Sequence, residues 1–166
     1  RQALSELGAV GSPVHNLSPA INNFPIGFLC LLFSFGLWRS AEKGKLIRVT
    51  ALLVAIHGLG SIGAGLYSCD PGCRPPQPSA SQIIHNLSGL VMCLSLLIAN
   101  ILWVVRGKHF GANANFQTLS LLALIITLVT LPLMGAGIQW GYFGLFQRIN
   151  YGAQVIWLAF FGVGAW

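Results

Sequence analysis

The chain has 166 residues, of which 55% are hydrophobic and only 7% are charged, and its formal net charge is +6 at pH 7. A soluble domain carries about 25% charged residues, so this chain has too few charges to cover a water-facing surface. The mean hydropathy of +0.74 indicates an integral membrane protein. Its basic residues lie in short segments between apolar runs, which is typical of topology determinants and excludes a nucleic-acid-binding face.

Residues 1–20 come first and are broken by glycine and proline, so we predict a loop with one helical turn at 5–7. Five apolar runs follow, each close to the length of about 20 residues that crosses a bilayer as a helix. No stretch alternates with period two over the length of a barrel strand. The sequence therefore predicts an all-α transmembrane bundle of one domain, 1–166, with spans at 21–38, 46–67, 81–105, 116–134 and 149–166.

The connections between the spans predict the orientation. Segments 39–48 and 106–109 hold six basic residues, against three on the opposite side: Arg39, Lys43, Lys45, Arg48, Arg106 and Lys108 against Arg1, Arg74 and Arg148. The positive-inside rule then makes the first set cytoplasmic, His109 included. Residues 1–20, the 68–80 loop and a glycine- and aromatic-rich interfacial loop at 135–148 are predicted outside the cell membrane. An outside N-terminus without a leader favours a further span before Arg1.

The connection at 69–78 contains four prolines, which forbid a continuous helix. Cys69 and Cys73 flank Asp-Pro-Gly, a tight-turn sequence that brings Cα atoms within disulfide range. On an oxidising face we predict a disulfide between them. The alternative, a metal site that uses both thiolates, lacks the second Cys or His pair of such sites. Cys30 and Cys93, within spans, are interpreted as small core residues.

His57 and His85 are ionisable residues inside the second and third predicted spans. Such residues usually face the bundle interior and often mark function. From the helical rise, His57 lies roughly 15 Å and His85 roughly 6 Å below the outer helix ends. Three interpretations stay open: neutral imidazoles hydrogen-bonded to other helices, a shared metal or proton-active site, and haem ligation by both rings, which requires nearly equal depth.

Residues 58–63 match the dinucleotide pattern G-x-G-x-x-G, but no strand precedes them and they lie inside an apolar span. We interpret them instead as a small-residue face for close helix packing, formed by Gly58, Gly60, Gly63, Ala64 and Gly65.

Several polar residues are predicted to gather at the outer face, above His57 and His85: Glu6, His15, Asn22, Asn23, Asp70 and Arg148. A carboxylate paired with Arg148 would form a structural clamp. A carboxylate above the histidines would instead form an acid–base site. Both interpretations stay open, with the clamp preferred.

Four segments resemble an uncharacterised bacterial and archaeal family, the domain of unknown function 998. SELGA at 5–9 followed by GSP at 11–13 resembles the family's opening, and 24–37 resembles its next span. CDPGC at 69–73 with His85 resembles its central loop and following helix, and GLFQRI at 144–149 with Trp157 resembles its last-helix entry. The resemblance implies about six spans, one of them before SELGA, with the motifs on the outer side. It implies no activity, and Gln147 stands where many relatives are expected to carry Glu.

Three functional hypotheses follow. The first is a non-catalytic membrane component: an accessory or scaffold subunit of a larger complex or homo-oligomer, or a lipid-associated protein whose outer loops form a cap. The second is a membrane enzyme or redox protein that uses Glu6, His57, Asp70, His85 and Arg148. The third is a small transporter, for which glycine-rich 58–65 is the one candidate for an unwound segment.

Overall fold

The structure, a computed structural model, describes residues 2–40 and 44–164, and every regular element in these ranges is helical. Two short helices precede five long ones. They are α1 Leu4–Leu7, α2 Leu17–Ile21, α3 Asn23–Arg39, α4 Lys45–Leu66, α5 Ala80–Arg106, α6 Ala114–Trp140 and α7 Phe143–Gly164. The predicted all-α fold is confirmed, and the predicted helical turn near 5–7 is α1.

Within the described part of the chain, four helical segments are long and apolar enough to cross a membrane, namely Leu17–Arg39, Lys45–Leu66, Ala80–Phe110 and Ala114–Trp140. They contain the first four predicted spans, apart from one residue at the end of the second. Helix α7 covers the fifth predicted span, but its first half is rich in polar side chains and it is not among the four. That α7 is a fifth crossing stays a prediction, and residues 165–166 of its predicted range lie outside the described residues.

The predicted interfacial loop at 135–148 is wrong. Helix α6 continues through this segment to Trp140, and α7 begins only three residues later. Pro132 lies within α6 without ending it, because in lipid a helix satisfies its own backbone groups and tolerates one missing donor. The turn comes instead at Gly141, whose φ of 72° is left-handed, and the Tyr142 N–H donates to the Gly137 carbonyl oxygen at 2.9 Å.

The long helices connect two ends of the bundle, which differ in composition. The cap end carries residues 2–22, 67–79 and 141–148. The basic end carries Arg39, Lys45, Arg48, Arg106 and Lys108. We call the halves of the bundle nearest to these ends the cap half and the basic half.

Glycines in α4 set the spacing of its two neighbours. A Cβ at Gly58 would lie 2.8 Å from the Gly27 carbonyl oxygen of α3, and one at Gly60 would lie 2.9 Å from the Met92 Cγ of α5. Contacts this short require residues without a side chain. Of the remaining predicted packing residues, Gly65 faces Asn23 and Phe24 of α3, Gly63 faces Ser88 of α5, and Ala64 is buried. Helix α4 is therefore the close-packed centre of an α3–α4–α5 unit.

The basic half is filled by an aromatic cluster, formed by Trp103, Phe116, Trp157 and Phe161, each at most 3% exposed. The Phe161 ring lies 4.8 Å from Trp103 and 5.9 Å from Trp157, between centroids. Both indoles are also hydrogen-bonded: Trp103 Nε1 donates to Thr50 Oγ1 at 2.8 Å, and Trp157 Nε1 donates to Ser120 Oγ at 2.9 Å. The cluster thus joins α4, α5, α6 and α7 in the basic half.

Candidate functional site

The cap half is hollow. Residues of α1 to α7 enclose a cavity of about 330 Å³ that lies between the cap end and the aromatic cluster. Cavities that hold small molecules begin at about 300 Å³, so this one is large enough for a ligand.

Helix α7 supplies the most polar wall, through Gln147, Asn150, Tyr151 and Gln154. Their spacing of three, four and seven residues places them on one helix face. Asn150 and Gln154 are 5% and 3% exposed, so the wall is built from buried amides. Their hydrogen bonds decide which atoms remain for a ligand.

Hydrogen bonds to Thr127 and Thr130 of α6 fix the orientation of the Asn150 amide, which in turn fixes that of Gln154. Asn150 Nδ2 donates to the Thr127 carbonyl oxygen at 3.1 Å and to Thr130 Oγ1 at 2.9 Å. A carbonyl oxygen can only accept, so the nitrogen of Asn150 must face α6 and its Oδ1 must face Gln154. Gln154 Nε2 then donates to that oxygen at 3.2 Å and to Cys93 Sγ at 3.6 Å. Within the described residues, Gln154 Oε1 remains without a hydrogen-bond partner.

His85 forms part of the opposite wall, near the cap end of α5. Its Nδ1 lies 2.8 Å from the Tyr67 carbonyl oxygen and 3.1 Å from that of Ala64. Both are acceptors, so Nδ1 carries a proton and donates. In the neutral ring Nε2 is therefore an acceptor, and no described residue bonds to it.

The remaining wall is apolar and reaches the lipid-facing surface. Leu90, Leu131 and Met134 line the cavity between α5 and α6, and Leu90 is 53% exposed. Gly89 lines the same place, and a Cβ built on it would meet nothing within 4 Å. We interpret the empty space beside Gly89 and the exposure of Leu90 as an opening of the cavity, on a face that lipid would cover.

Among the described residues that line the cavity, none is Asp, Glu, Lys or Arg. Besides the groups on α5 and α7, its polar lining comes from hydroxyl and amide side chains near the cap end: Ser5, Ser18, Asn22, Asn23 and Ser68. The site is an uncharged amphipathic chamber.

A cap made of residues 2–16 and 68–79 covers the chamber, and Leu4, Ser5, Gly8 and Ser68 line it from this side. Cys69 and Cys73 lie at disulfide distance with Cα atoms 5.0 Å apart, as predicted. The Cys69 carbonyl oxygen accepts from the Val10 N–H at 2.9 Å, which joins the two parts of the cap.

Two basic residues tie the cap to α7. Arg148 Nη1 donates to the carbonyl oxygens of Gln2 at 2.6 Å and Gly144 at 2.8 Å. The Arg74 guanidinium lies 4.6 Å from the centre of the Phe143 ring. Arg148 therefore clamps the N-terminal segment, although through backbone oxygens and not through the carboxylate that the sequence suggested.

The carboxylates predicted for the outer site serve their own segments. Glu6 Oε1 accepts from the Ala3 N–H at 3.1 Å, and Asp70 Oδ2 accepts from the Ser79 N–H at 2.9 Å. His15 Nδ1 likewise donates to the Gly8 and Ala9 carbonyl oxygens, both at 2.9 Å. None of the three side chains lines the cavity, so all three belong to the cap and not to the chamber.

His57 lies behind the chamber wall and is only 1% exposed. Its Nδ1 donates to the Met92 carbonyl oxygen at 3.0 Å, and its ring stacks on Tyr151 with centroids 6.3 Å apart. Within the described part of the chain, His57 Nε2 and both amide atoms of Asn100 are buried without a hydrogen-bond partner. No three His, Cys, Asp or Glu side chains form a metal-binding group among the described residues.

Of the predicted site residues, the chamber brings together Asn22, Asn23 and His85, with Ala64 and Gly65 from the packing face. Sequence reasoning missed the α7 wall, and it assigned Cys93 to the core although Cys93 lines the cavity. The signal for that wall was present, because polar residues recur at helical spacing from 147 to 154.

The four candidate spans and the uncharged chamber beneath a cap define a multi-pass helical membrane protein with an internal amphipathic cavity. The family described as Protein of unknown function (DUF998) matches residues 1–164, and the chain belongs to this family. No curated protein and no solved structure matches the chain.

Proposed function

We propose that this protein is a non-catalytic, lipid-associated membrane component that holds one amphiphilic molecule in the chamber of its cap half. The observation that carries the proposal is the division of the chamber wall. Buried amides of α7 and the imidazole of His85 on α5 supply its polar groups, and leucine and methionine between α5 and α6 form its apolar wall. Sites for small molecules combine a mostly apolar lining with a few placed polar groups in this way.

The opening at Gly89 and Leu90 supports entry from the bilayer. Leu90 is 53% exposed on a face that lipid covers, so an acyl chain has an apolar path between α5 and α6. The cap covers the opposite side and supplies hydroxyl groups to the chamber. On the predicted orientation the chamber belongs to the outer leaflet, where the disulfide is also expected.

The acid–base alternative has weaker support. The acid–base site suggested by the sequence uses a carboxylate above the histidines, and this carboxylate would have to lie within hydrogen-bond reach of the substrate. Glu6 and Asp70 accept from backbone N–H groups of their own segments and do not line the chamber.

The test is lipid retention by the full chain in lipid nanodiscs, measured by native mass spectrometry. We compare Gly89→Leu with Gly36→Leu, because a Cβ meets nothing within 4 Å at either position, but only Gly89 lines the cavity. We expect the unmodified chain and Gly36→Leu to retain one amphiphile, and Gly89→Leu to lose most of it. Equal retention by both variants, or no retention by any, would refute the proposal.

A further inference from the structure

We infer that the chamber selects amphiphiles whose head group is uncharged and carries several hydroxyl groups, such as an acylglycerol or a glycolipid with a neutral sugar. This inference rests on the proposed function and names the class of ligand.

A charged head group would find no ion-pair partner among the described residues that line the chamber. A phosphate taken out of water needs a cation beside it, and an ammonium head needs a carboxylate or an aromatic cage. Among the described residues, the lining contains no Lys, Arg, Asp or Glu and only two aromatic rings, those of His85 and Tyr151. Arg148, the basic residue nearest in sequence to the α7 wall, donates to the Gln2 and Gly144 carbonyl oxygens. A charged head group would therefore be buried without compensation.

Two atoms of the chamber wall remain as hydrogen-bond acceptors without a partner among the described residues. His85 Nδ1 is committed to the carbonyl oxygens of Ala64 and Tyr67, which leaves Nε2 of the neutral ring as an acceptor. The Asn150 network likewise leaves Gln154 Oε1 as an acceptor. Gln154 is 3% exposed and lines the cavity, so its free oxygen has the cavity to face. Acceptors require donors, and the uncharged donor that lipid head groups offer most readily is the hydroxyl group.

The two acceptors belong to residues at different depths along the bundle. Gln154 is hydrogen-bonded to Cys93, which lies eight residues after His85 on α5. Eight residues of helix correspond to about 12 Å of depth. A head group with a single hydroxyl satisfies one acceptor only, whereas a head group with several hydroxyls offers a donor to each. Two free acceptors thus favour a head group with several hydroxyls over a simple alcohol.

The experiment measures binding of defined probes to the full chain in nanodiscs by native mass spectrometry. The probes are a monoacylglycerol, an alkyl glucoside of equal chain length, the O-methylated form of each, and phosphatidylglycerol. Methylation removes the donors and preserves the ether oxygens and the chain. We expect at least one hydroxylated probe to bind about tenfold more tightly than its methylated form, since methylation leaves buried acceptors unpaired. Which of the two binds distinguishes a glycerol head from a sugar head.

Two variants locate the effect. Gln154→Met preserves the length of the side chain and removes its acceptor, and His85→Phe removes the other acceptor together with the Nδ1 bonds. Both are expected to lose the preference for hydroxylated probes, while Thr118→Val, which alters an exposed hydroxyl of α6 outside the cavity, retains it. If His85→Phe fails to fold, Gln154→Met alone still tests whether a free acceptor causes the preference for hydroxylated probes.

The outcomes separate the two proposals. Equal binding of hydroxylated and methylated probes, or tighter binding of phosphatidylglycerol, overturns the head-group inference and leaves a lipid-binding chamber. Binding of no probe, together with no retained lipid, overturns the proposed function as well.

Discussion

The two halves of the bundle use the same helices in opposite ways. In the basic half, Trp103, Phe116, Trp157 and Phe161 fill the space between helices with side chains at most 3% exposed. In the cap half, α5, α6 and α7 instead enclose a cavity of about 330 Å³. In lipid the hydrophobic effect does not hold helices together, so packing and interhelical hydrogen bonds must do so. The filled basic half therefore supplies stability, which allows the cap half to remain hollow.

The largest effect is expected from a substitution in the packed basic half. Trp157→Ala should lower the free energy of unfolding by about 3–5 kcal/mol, because it leaves a void among three rings and removes the bond to Ser120. Reversible unfolding in mixed micelles measures this loss. Trp157→Phe is the conservative control and should lose much less.

The matched change in the hollow half is Leu131→Ala, at a partly buried residue that lines the chamber. One side of this leucine already faces empty space, so it has fewer contacts to lose. We expect a cost of about 1 kcal/mol or less. If Leu131→Ala destabilised the protein as much as Trp157→Ala, the division of the bundle into a stabilising half and a hollow half would be wrong.

The second prediction concerns α4, whose close packing on both neighbours extends into the cap half. Gly58→Ala should cost about 1–3 kcal/mol, because the new methyl group lies 2.8 Å from the Gly27 carbonyl oxygen and pushes α3 away. Gly36→Ala is the matched control, since a Cβ there meets nothing within 4 Å. Chemical unfolding of the two variants side by side measures the difference, and equal stability would contradict close α3–α4 packing.

The packed framework was largely predictable from the sequence. Apolar runs of span length placed the first four long helices to within a few residues. The error at 135–140 has a physical origin: Pro132 and the glycines that follow break helices in water, but a membrane helix tolerates them. The left-handed Gly141 ends α6 instead.

The chamber was less predictable, because composition directs attention to charges. Glu6, Asp70 and Arg148 were selected as rare ionisable groups, yet their nearest partners are backbone groups of the cap or of α7. His85 was found because an imidazole inside a span is conspicuous. Asn150 and Gln154 were missed although their helical spacing was visible, since only the fold shows that this polar face meets α5 across a cavity.

The third prediction removes the disulfide from the cap. Cys69→Ser with Cys73→Ser should lower stability by about 2 kcal/mol in the chain-entropy model, because the closed loop is short. The larger consequence should be local: proteolysis within 68–79 should accelerate, while the aromatic cluster retains its tryptophan fluorescence. If the tryptophan fluorescence of the cluster were lost at the same denaturant concentration at which the cap unfolds, the two halves would unfold as one unit.

The smallest effect tests whether the cap is held to the chamber wall by separate tethers. Arg74→Ala removes the cation–π contact with Phe143, in which the guanidinium carbon lies 4.6 Å from the centre of the ring. Arg74 is exposed, so the cost should be only about 0.5–1 kcal/mol. The expected signature is faster hydrogen exchange in 69–79 and at the start of α7, with exchange in 97–103 unchanged. Arg39→Ala is the matched control, because its guanidinium lies over Phe35 within one helix at the basic end and joins nothing to the cap. If Arg74→Ala left exchange in the cap unchanged, the disulfide and the Arg148 clamp alone would hold the cap over the chamber.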